Sequence, residues 1–548
     1  TWNDLSARVV ASKYFFRPSK EEWKEKLKAK TGRDYEFSPT HLFDRIIKFI
    51  SDSGQRLNYF KTEKDKEIFE DELRYMLIHQ MFAFNSPVNF NAGLYDMYGV
   101  PGSPGINYVR DPETNEVTKI RNGCYIKPQS HACFILGAED SLESILEHCK
   151  DEGAIFANGS GIGQDISNLR AKGEALSSGG VSSGALSWFE LWDRVASMIK
   201  SGGKTRRAAR MTVMKYWHPE IMDFIDCKVK SDKKGLDLVL SGYEGGFEGE
   251  AFTTVPFQNT NISVRLDDYF FEQLKKNGYI ELREVKTGKV KEKVFADEIL
   301  KRISYGGWRV GDPGVQFETT IQDWHTCPNS GIINASNPCS EYMHLDGTSC
   351  NLASINLLKY TDLKGNFDHR SFRSASRTIA VAEDILNDAS SYPVEIIAKL
   401  SPEFRTIGLG YANLGALLMR KGLPYDSEEA RAFAATITAI MHGEAYRTSA
   451  EMSEALGPFV HYEINKEPMQ RVIEKHRQAL DNIKWDLVKD EGLKAEIYRL
   501  WDEVLNLGAR YGYRNAQATV LAPTGTIAIQ MGCDTTGVEP ALGLVTNK

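Results

Sequence analysis

The sequence predicts an α/β fold with a mainly parallel sheet, and three observations predict it. Short apolar strand candidates recur along the chain, stretches of ten or more residues with helical spacing separate them, and glycine-rich turns join the two. The chain has 548 residues, of which 42% are hydrophobic and 26% charged. That balance excludes a disordered or fibrous protein and leaves ample apolar material for a large core.

Taken in order, residues 1–85 read as a helical, charged region. Leu42, Phe43, Ile46, Ile47, Phe49 and Ile50 recur at helical spacing, as do Phe69, Leu73, Met76 and Leu77. From Asn85 the texture changes to glycine-rich turns, and residues 94–129 read as an irregular insertion containing Pro101, Pro104 and Pro112. A strand is expected at 132–136. Asp140-Ser141-Leu142-Glu143 then opens a helix, with Leu142, Ile145, Leu146 and Cys149 along one face. Ser187-Trp188-Phe189-Glu190 has the form of a capping box for a second helix, ending at Gly202-Gly203. Further strands are expected at 261–266, 314–318, 352–358 and 518–522, with long helical stretches from Phe372 to Gly457 between the last two.

Charge and cysteine usage narrow the function classes. Lys+Arg 67 against Asp+Glu 74 gives a net charge of −7, without the basic excess of a general nucleic-acid binder. No run approaches the ~18–20 apolar residues that cross a membrane, and Thr1 does not open a signal peptide. The eight cysteines are too scattered for the disulfide framework of a small secreted domain, so a reducing cytoplasmic location is expected. A start at Thr1 without methionine, and an end at Lys548 after a glycine-rich stretch, suggest a piece of a longer protein.

Several motifs carry chemistry, each with a plainer reading beside it. Ser201-Gly202-Gly203-Lys204-Thr205 ends like a phosphate-binding loop, but Met198 stands where that loop needs glycine. Gly159-Ser160-Gly161-Ile162-Gly163 lacks dinucleotide spacing. Both remain readable as loops that let backbone approach a ligand. In Asn337-Pro338-Cys339-Ser340-Glu341, proline opposes a helix. In an extended stretch Asn337, Cys339 and Glu341 share one face, with neighbours roughly 6.6 Å apart at ~3.3 Å rise per residue. An amide, a thiol and a carboxylate would then converge on something the size of a sugar ring. The plainer reading is a buried structural cysteine in a turn. His325, Cys327, Cys339, His344 and Cys350 lack zinc-ligand spacing, and no metal site is expected. Cys133 and Cys350 read equally as core thiols or as a redox pair. Ala522-Pro523-Thr524-Gly525-Thr526-Ile527-Ala528 reads as a strand-to-helix turn whose amides would suit a phosphate.

The ordered set of Asn85-Ser86-Pro87, Ala132-Cys133, Asp140-Ser141, Gly161-Ile162-Gly163, Gly202-Gly203 with Arg206-Arg207, Asn337-Pro338-Cys339-Ser340-Glu341, Cys350-Asn351-Leu352 and Pro523-Thr524-Gly525-Thr526 resembles the catalytic chain of ribonucleotide reductase. It is most similar to the adenosylcobalamin-dependent class II enzymes, and the likeness runs over nearly the whole chain. The resemblance implies a ten-stranded α/β barrel of two five-stranded halves, with an inner finger loop, over residues 86–548, preceded by the helical region 1–85. It implies that Cys339 becomes a thiyl radical, that Glu341 takes a proton from the ribose 3′-hydroxyl, and that Asn337 bonds the sugar hydroxyls. Cys133 and Cys350 would supply two electrons and end as a disulfide. Ser86, Ala132, Gly163, Pro523, Thr524, Gly525, Thr526 and Ile527 match substrate-binding positions. Asp140, Ser141, Lys204, Arg206 and Arg207 match positions that read an allosteric effector, a deoxynucleoside triphosphate or ATP, with a helix N-cap as the plainer reading of Asp140. Further implications are adenosylcobalamin as cofactor, a thioredoxin-like or other dithiol reductant, and a homodimer. Ser340 stands where class II members often have glycine, and His131 where serine is frequent. The family continues beyond the position of Lys548 with more barrel strands, so these are expected outside this sequence. Other readings are a class I large subunit and a non-catalytic nucleotide-binding fragment.

Overall fold

The helical spacing at the N-terminus becomes four helices, Asp4–Lys13, Glu21–Thr31, Pro39–Arg56 and Glu63–Ile78. The computed structural model describes residues 2–105, 107–177, 179–201, 206–246, 249–543 and 545. Ser38 caps the third helix with Pro39 in its first turn, and the expected stripe from Leu42 to Ile50 is buried. Thr62 and Asp65 form a reciprocal capping box on the fourth. Strands are numbered in chain order: β1 Phe82–Phe84, β2 Cys133–Ile135, β3 Gly161–Asp165, β4 Ala209–Lys215, β5 Thr260–Leu266, β6 Gly314–Phe317, β7 Thr348–Asn356 and β8 Ile407–Ala412. The chain divides into two compact units, one of Thr1–Ala132, Thr326–Ser330 and Ser349–Lys548, the other of Cys133–His325 and Gly331–Thr348.

In the second unit β2, β3, β4, β5 and β6 pair in sequence order, all parallel, with Cys133 opposite Gly161, Gly161 opposite Ala209, Arg210 opposite Thr260 and Gly314 opposite Ser263. Parallel neighbours need a crossover, and the helices Leu142–Ala157, Ala185–Met198, Ile221–Leu240 and Ala296–Val310 lie in the four connections. Their apolar faces meet the sheet in a core that includes Phe189, Trp192, Phe224, Ile262, Val264 and Ile299. The parallel α/β expectation is realised here.

Two strands of this sheet went unread in the sequence. In β4 the residues Arg210 to Met214 are all buried, the polar Arg210 and Thr212 with the apolar Met211 and Val213, so the strand is not the half-exposed kind that alternation marks. In β3 the glycines that lower strand propensity are there for packing. Gly161 and Gly163 face the same side, and residues 331–348 lie directly on them. A Cβ on Gly163 would sit 1.5 Å from the Ser336 carbonyl oxygen, and one on Gly161 would sit 2.6 Å from Pro338 Cγ.

In the first unit β1 runs antiparallel to β7, with Phe82 opposite Ile355, and β8 runs parallel to β7, with Asn351 opposite Ile407. The helix Glu428–Leu456 packs against His369–Ala389 and Glu491–Tyr511. Asp384 is fully buried and receives Tyr59 Oη at 2.5 Å, Asn515 Nδ2 at 2.8 Å, Arg405 Nε at 2.9 Å and Arg514 Nε at 3.3 Å. Burial opposes its charge, and the two arginines more than offset that, holding the carboxyl below its ordinary value.

Four expectations need correction. The helix expected at Ser187 begins at Ala185 behind Gly184. Ser187 Oγ donates instead to the Ser183 carbonyl at 2.9 Å, so the capping-box pattern falls inside the helix. That helix ends at Met198, before the Gly202-Gly203 stop, which lies outside the described residues. The strand expected at 352–358 starts at Thr348, and Leu357 and Leu358 turn into a 3₁₀ helix. The stretch from Phe372 to Gly457 is interrupted by β8, and of residues 518–522 Thr519 forms a single parallel bridge to Leu409.

The glycine contacts give paired expectations for urea denaturation. Gly163→Ala must displace the Ser336 carbonyl and should lower stability by about 1–3 kcal/mol. Gly307 lies inside the helix Ala296–Val310 with nothing within 4 Å of an added Cβ. Gly307→Ala should raise stability by about 0.5–1 kcal/mol.

Candidate active site

Asn337 organises the segment that carries the central thiol. Its carbonyl accepts from Ser340 N at 3.1 Å, closing a tight turn over Pro338 and Cys339, and its N–H donates to the Tyr342 carbonyl at 3.0 Å. Its side-chain Oδ1 accepts from Tyr342 N, also at 3.0 Å. The extended conformation expected for 337–341 is therefore replaced by a turn, because these bonds satisfy the backbone more locally than a strand partner could. Ser340 takes a left-handed φ of 64°. Its Oγ lies 3.1 Å from Ser336 Oγ and accepts from Gln316 Nε2 at 3.2 Å. Asn261 Nδ2 donates to the Pro338 carbonyl at 2.9 Å, and Arg265 donates to the Ile333 carbonyl.

Of the three groups expected to converge, Asn337 and Glu341 meet, but on the thiol of Cys133 instead of that of Cys339. Asn337 Nδ2 donates to Cys133 Sγ at 3.0 Å, and Cys133 Sγ lies 3.7 Å from Glu341 Oε1. An amide and a carboxylate thus meet on the thiol of β2, with Asn337 and Cys133 buried. Cys339, at the tip of the same turn, is exposed. Burial pushes the Glu341 carboxyl above its ordinary value, partly offset by hydrogen bonds from Asn337, its own backbone and Cys133. Glu341 Oε2 is buried without a hydrogen-bond partner among the described residues, so an acceptor is left for a proton donor.

The other expected residues fall on both units. Cys350 is buried on β7, and its carbonyl accepts from Ala132 N at 3.2 Å, so the residue before Cys133 lies against it. Ser86 starts the short helix Ser86–Asn91 behind the cap Asn85, with its Oγ 3.0 Å from Tyr14 Oη. Thr524 holds a left-handed φ of 56° and accepts from Gly537 N at 2.7 Å, and Gly525–Gln530 is the expected helix after the Pro523 turn. The Ile527 side chain packs with Ala83, Ala412 and Met531, which leaves its backbone N–H, with those of Gly525 and Thr526, as the available polar group in that first turn. Gly163 lies under the turn, as described.

In the second unit Ser141 rather than Asp140 caps the helix Leu142–Ala157, accepting from Ser144 N at 3.2 Å. Asp140 is paired instead, with Arg170 Nε at 2.7 Å and Lys286 Nζ at 3.2 Å. Neither cation was legible in the sequence, since each is distant along the chain and carries no motif. Leu142 and Leu146 are exposed while Ile145 is buried, so the apolar face of that helix is divided. Lys204 lies outside the described residues, and Arg206 and Arg207 form a two-residue strand paired with Lys200 and Ser201. The His131 ring lies 4.8 Å from that of Tyr392 at a tilt of 42°, its Nε2 is 3.3 Å from Asn387 Oδ1, and burial pushes it down to about 4, which keeps it neutral.

A family model described as ribonucleotide reductase, barrel domain, matches residues 131–548, and one described as class II vitamin B12-dependent ribonucleotide reductase matches residues 1–80. A vitamin B12-dependent ribonucleotide reductase of Rhodopirellula baltica is 47% identical over 553 residues, covering 100% of this chain and 52% of the relative. One of Streptomyces coelicolor is 42% identical over 556 residues, covering 100% and 53%. A vitamin B12-dependent ribonucleoside-diphosphate reductase of Thermoplasma acidophilum is 32% identical over 417 residues, covering 76% and 46%. The chain spans about half the length of the curated relatives it matches.

Asn337→Ala tests the hub of the turn. It leaves the buried Tyr342 N–H without its acceptor and should cost about 1–3 kcal/mol in urea denaturation. It should also speed alkylation of Cys133, followed by mass spectrometry, because the amide on that thiol is gone.

Proposed function

The chain belongs to the ribonucleotide reductase family, and from that premise we propose that it reduces ribonucleotides to 2′-deoxyribonucleotides as a class II enzyme. The observation that carries the reading is the meeting of Asn337 and Glu341 on Cys133, on the turn whose tip is Cys339. The thiol that must meet an outside radical source is exposed, whereas the groups that must orient a sugar are buried or half-buried. This exposure fits adenosylcobalamin, which when bound supplies the radical that removes hydrogen from the Cys339 thiol.

Each residue then has one task. The Cys339 thiyl abstracts the ribose 3′-hydrogen and later returns it. Glu341 accepts the 3′-hydroxyl proton, and Asn337 hydrogen-bonds the sugar hydroxyls. The 2′-hydroxyl leaves as water, and Cys133 and Cys350 give up two electrons and two protons to become a disulfide, which a thioredoxin-like or other dithiol reductant reopens. Ser86, Ala132, Gly163 and the first-turn amides of Pro523–Ile527 hold the substrate. A deoxynucleoside triphosphate or ATP binds at Asp140 and Ser141, where Arg170 and Lys286 offer cations to phosphate, and Lys204, Arg206 and Arg207 match the family's loop between effector and substrate. The exposed Leu142 and Leu146 beside that site support a homodimer. The architecture in this reading is a ten-stranded barrel of two five-stranded halves over 86–548, with 1–85 as a helical adjunct. Among the described residues no helix is long and apolar enough to cross a membrane, and a cytoplasmic place follows from the reducing chemistry.

The full-length protein should reduce ribonucleotides with adenosylcobalamin and a dithiol and no second subunit. Activity that ignores cobalamin and appears with a metal-containing partner protein would overturn the class assignment. Cys339→Ser should abolish reduction while substrate still binds in calorimetry. Product formation by that variant would sink the radical mechanism.

The pH profile tests Glu341 separately. Its charged form is the base, and burial raises its pKa above the ordinary glutamate value. The rate should therefore fall as pH drops through a midpoint above that value, and Glu341→Gln should lose about 10²–10⁴-fold. An acid limb below the ordinary glutamate range would remove Glu341 from the role.

A further inference from the structure

Three buried side chains on separate elements of the Cys133-bearing unit join end to end. Glu152, inside the helix Leu142–Ala157, meets Arg210 Nε on β4 at 2.5 Å through Oε1. Arg210 Nη2 donates to Gln164 Oε1 on β3, also at 2.5 Å, and its Nη1 donates to Thr212. Glu152 is 0% exposed, and Arg210 and Gln164 are 1% exposed. The guanidinium lies 5.2 Å from the Trp192 ring centroid and 5.7 Å from that of Phe189, which fixes its plane.

Both ends of this chain of contacts lead somewhere. The helix bearing Glu152 begins beside Asp140, with its Arg170 and Lys286 partners. Gln164 follows Gly163 on β3, and successive strand residues face opposite sides. β3 therefore takes the Arg210 contact on one face and the backbone of Ser336 on the other, 1.5 Å from where a Gly163 Cβ would be. A pair serving stability alone would be replaceable by apolar residues of equal volume, since desolvation cancels most of the gain from a buried ion pair. Its fork reaches three elements, which is what a positioning group needs.

We propose that Arg210 is a positioning residue that ties β3, and through Gly163 the Ser336–Asn337 backbone, to the helix Leu142–Ala157, so that a nucleotide at Asp140 resets the turn carrying Cys339. The inference rests on the reading of Asp140 as a nucleotide site. It gives that site a route to the thiol through the core of the unit.

The test uses the full-length protein, iodoacetamide and mass spectrometry of the Cys339 peptide, with dATP, dGTP, dCTP and dTTP added in turn. Nucleotide binding is followed by calorimetry. In the unaltered protein at least one nucleotide should change the Cys339 alkylation rate by about fivefold or more. Glu152→Gln and Gln164→Met cut the route on either side of Arg210. Each should still bind the nucleotide, with the rate change reduced to less than about twofold. Gln164→Met leaves the Glu152–Arg210 pair in place, so it decides the matter if Glu152→Gln fails to fold. Retention of the full nucleotide response by Gln164→Met overturns the proposal. So does binding in the unaltered protein that leaves Cys339 unchanged, in which case the nucleotide site itself stands. Absence of nucleotide binding altogether would instead overturn the reading of Asp140 and take the route with it.

Discussion

Backbone lying on backbone, with no side chain between, is the constraint from which the site follows. Ser336 and Pro338 rest on β3 because Gly163 and Gly161 present no Cβ on that face. Any larger residue would lift the turn away from the sheet, and the Asn337 amide would lose Cys133 on the neighbouring strand. β3 can spare its side chains because it is paired on both edges, to β2 and β4. The strand's stability comes from its ladders, and its surface is given over to the turn.

Residues 331–348 are held largely by polar contacts. Asn337, Asn261, Gln316 and Arg265 each bond the segment from a buried or half-buried position, and Tyr342 Oη closes its return arm on Thr348 at 2.8 Å. In a low-dielectric interior such bonds are strong when made and costly when lost. Ser340 bears a left-handed backbone that costs roughly 1–2 kcal/mol for a residue with a Cβ, offset by its contacts to Ser336 and Gln316. Glycine would relieve the strain and forfeit both contacts. A turn built this way holds the Asn337 amide and the Glu341 carboxylate against the Cys133 thiol.

Burial also decides which groups are charged. It pushes Glu152 up to about 7 even against Arg210, and it keeps His131 neutral by pushing it down to about 4. Asp384 is the opposite case, since two arginines outweigh the cost of burial and keep it ionised. The difference lies in the number of cations that reach the carboxylate, because desolvation is large in both sites.

The sequence by itself determined the parallel α/β class and the N-terminal helices, and it singled out the segment from Asn337 to Glu341. Helical spacing from Leu42 to Ile50 and the motif from Asn337 to Glu341 are local signals, and local signals survive in one dimension. It misread the conformation of that motif, because proline excludes a helix but does not choose between a strand and a turn. β3 and β8 escaped notice because they are buried and rich in glycine, which erases the alternation that marks a half-exposed strand, and β4 because its polar residues are buried with its apolar ones. Only the tertiary structure decided that Asn337 and Glu341 meet on Cys133, about two hundred residues earlier in the chain. Only it could pair Asp140 with Arg170 and Lys286, or join Glu152 to Gln164 through Arg210. The reason is the same in each case: a contact between distant residues is fixed by the register of the sheet, and register is a property of strands already paired.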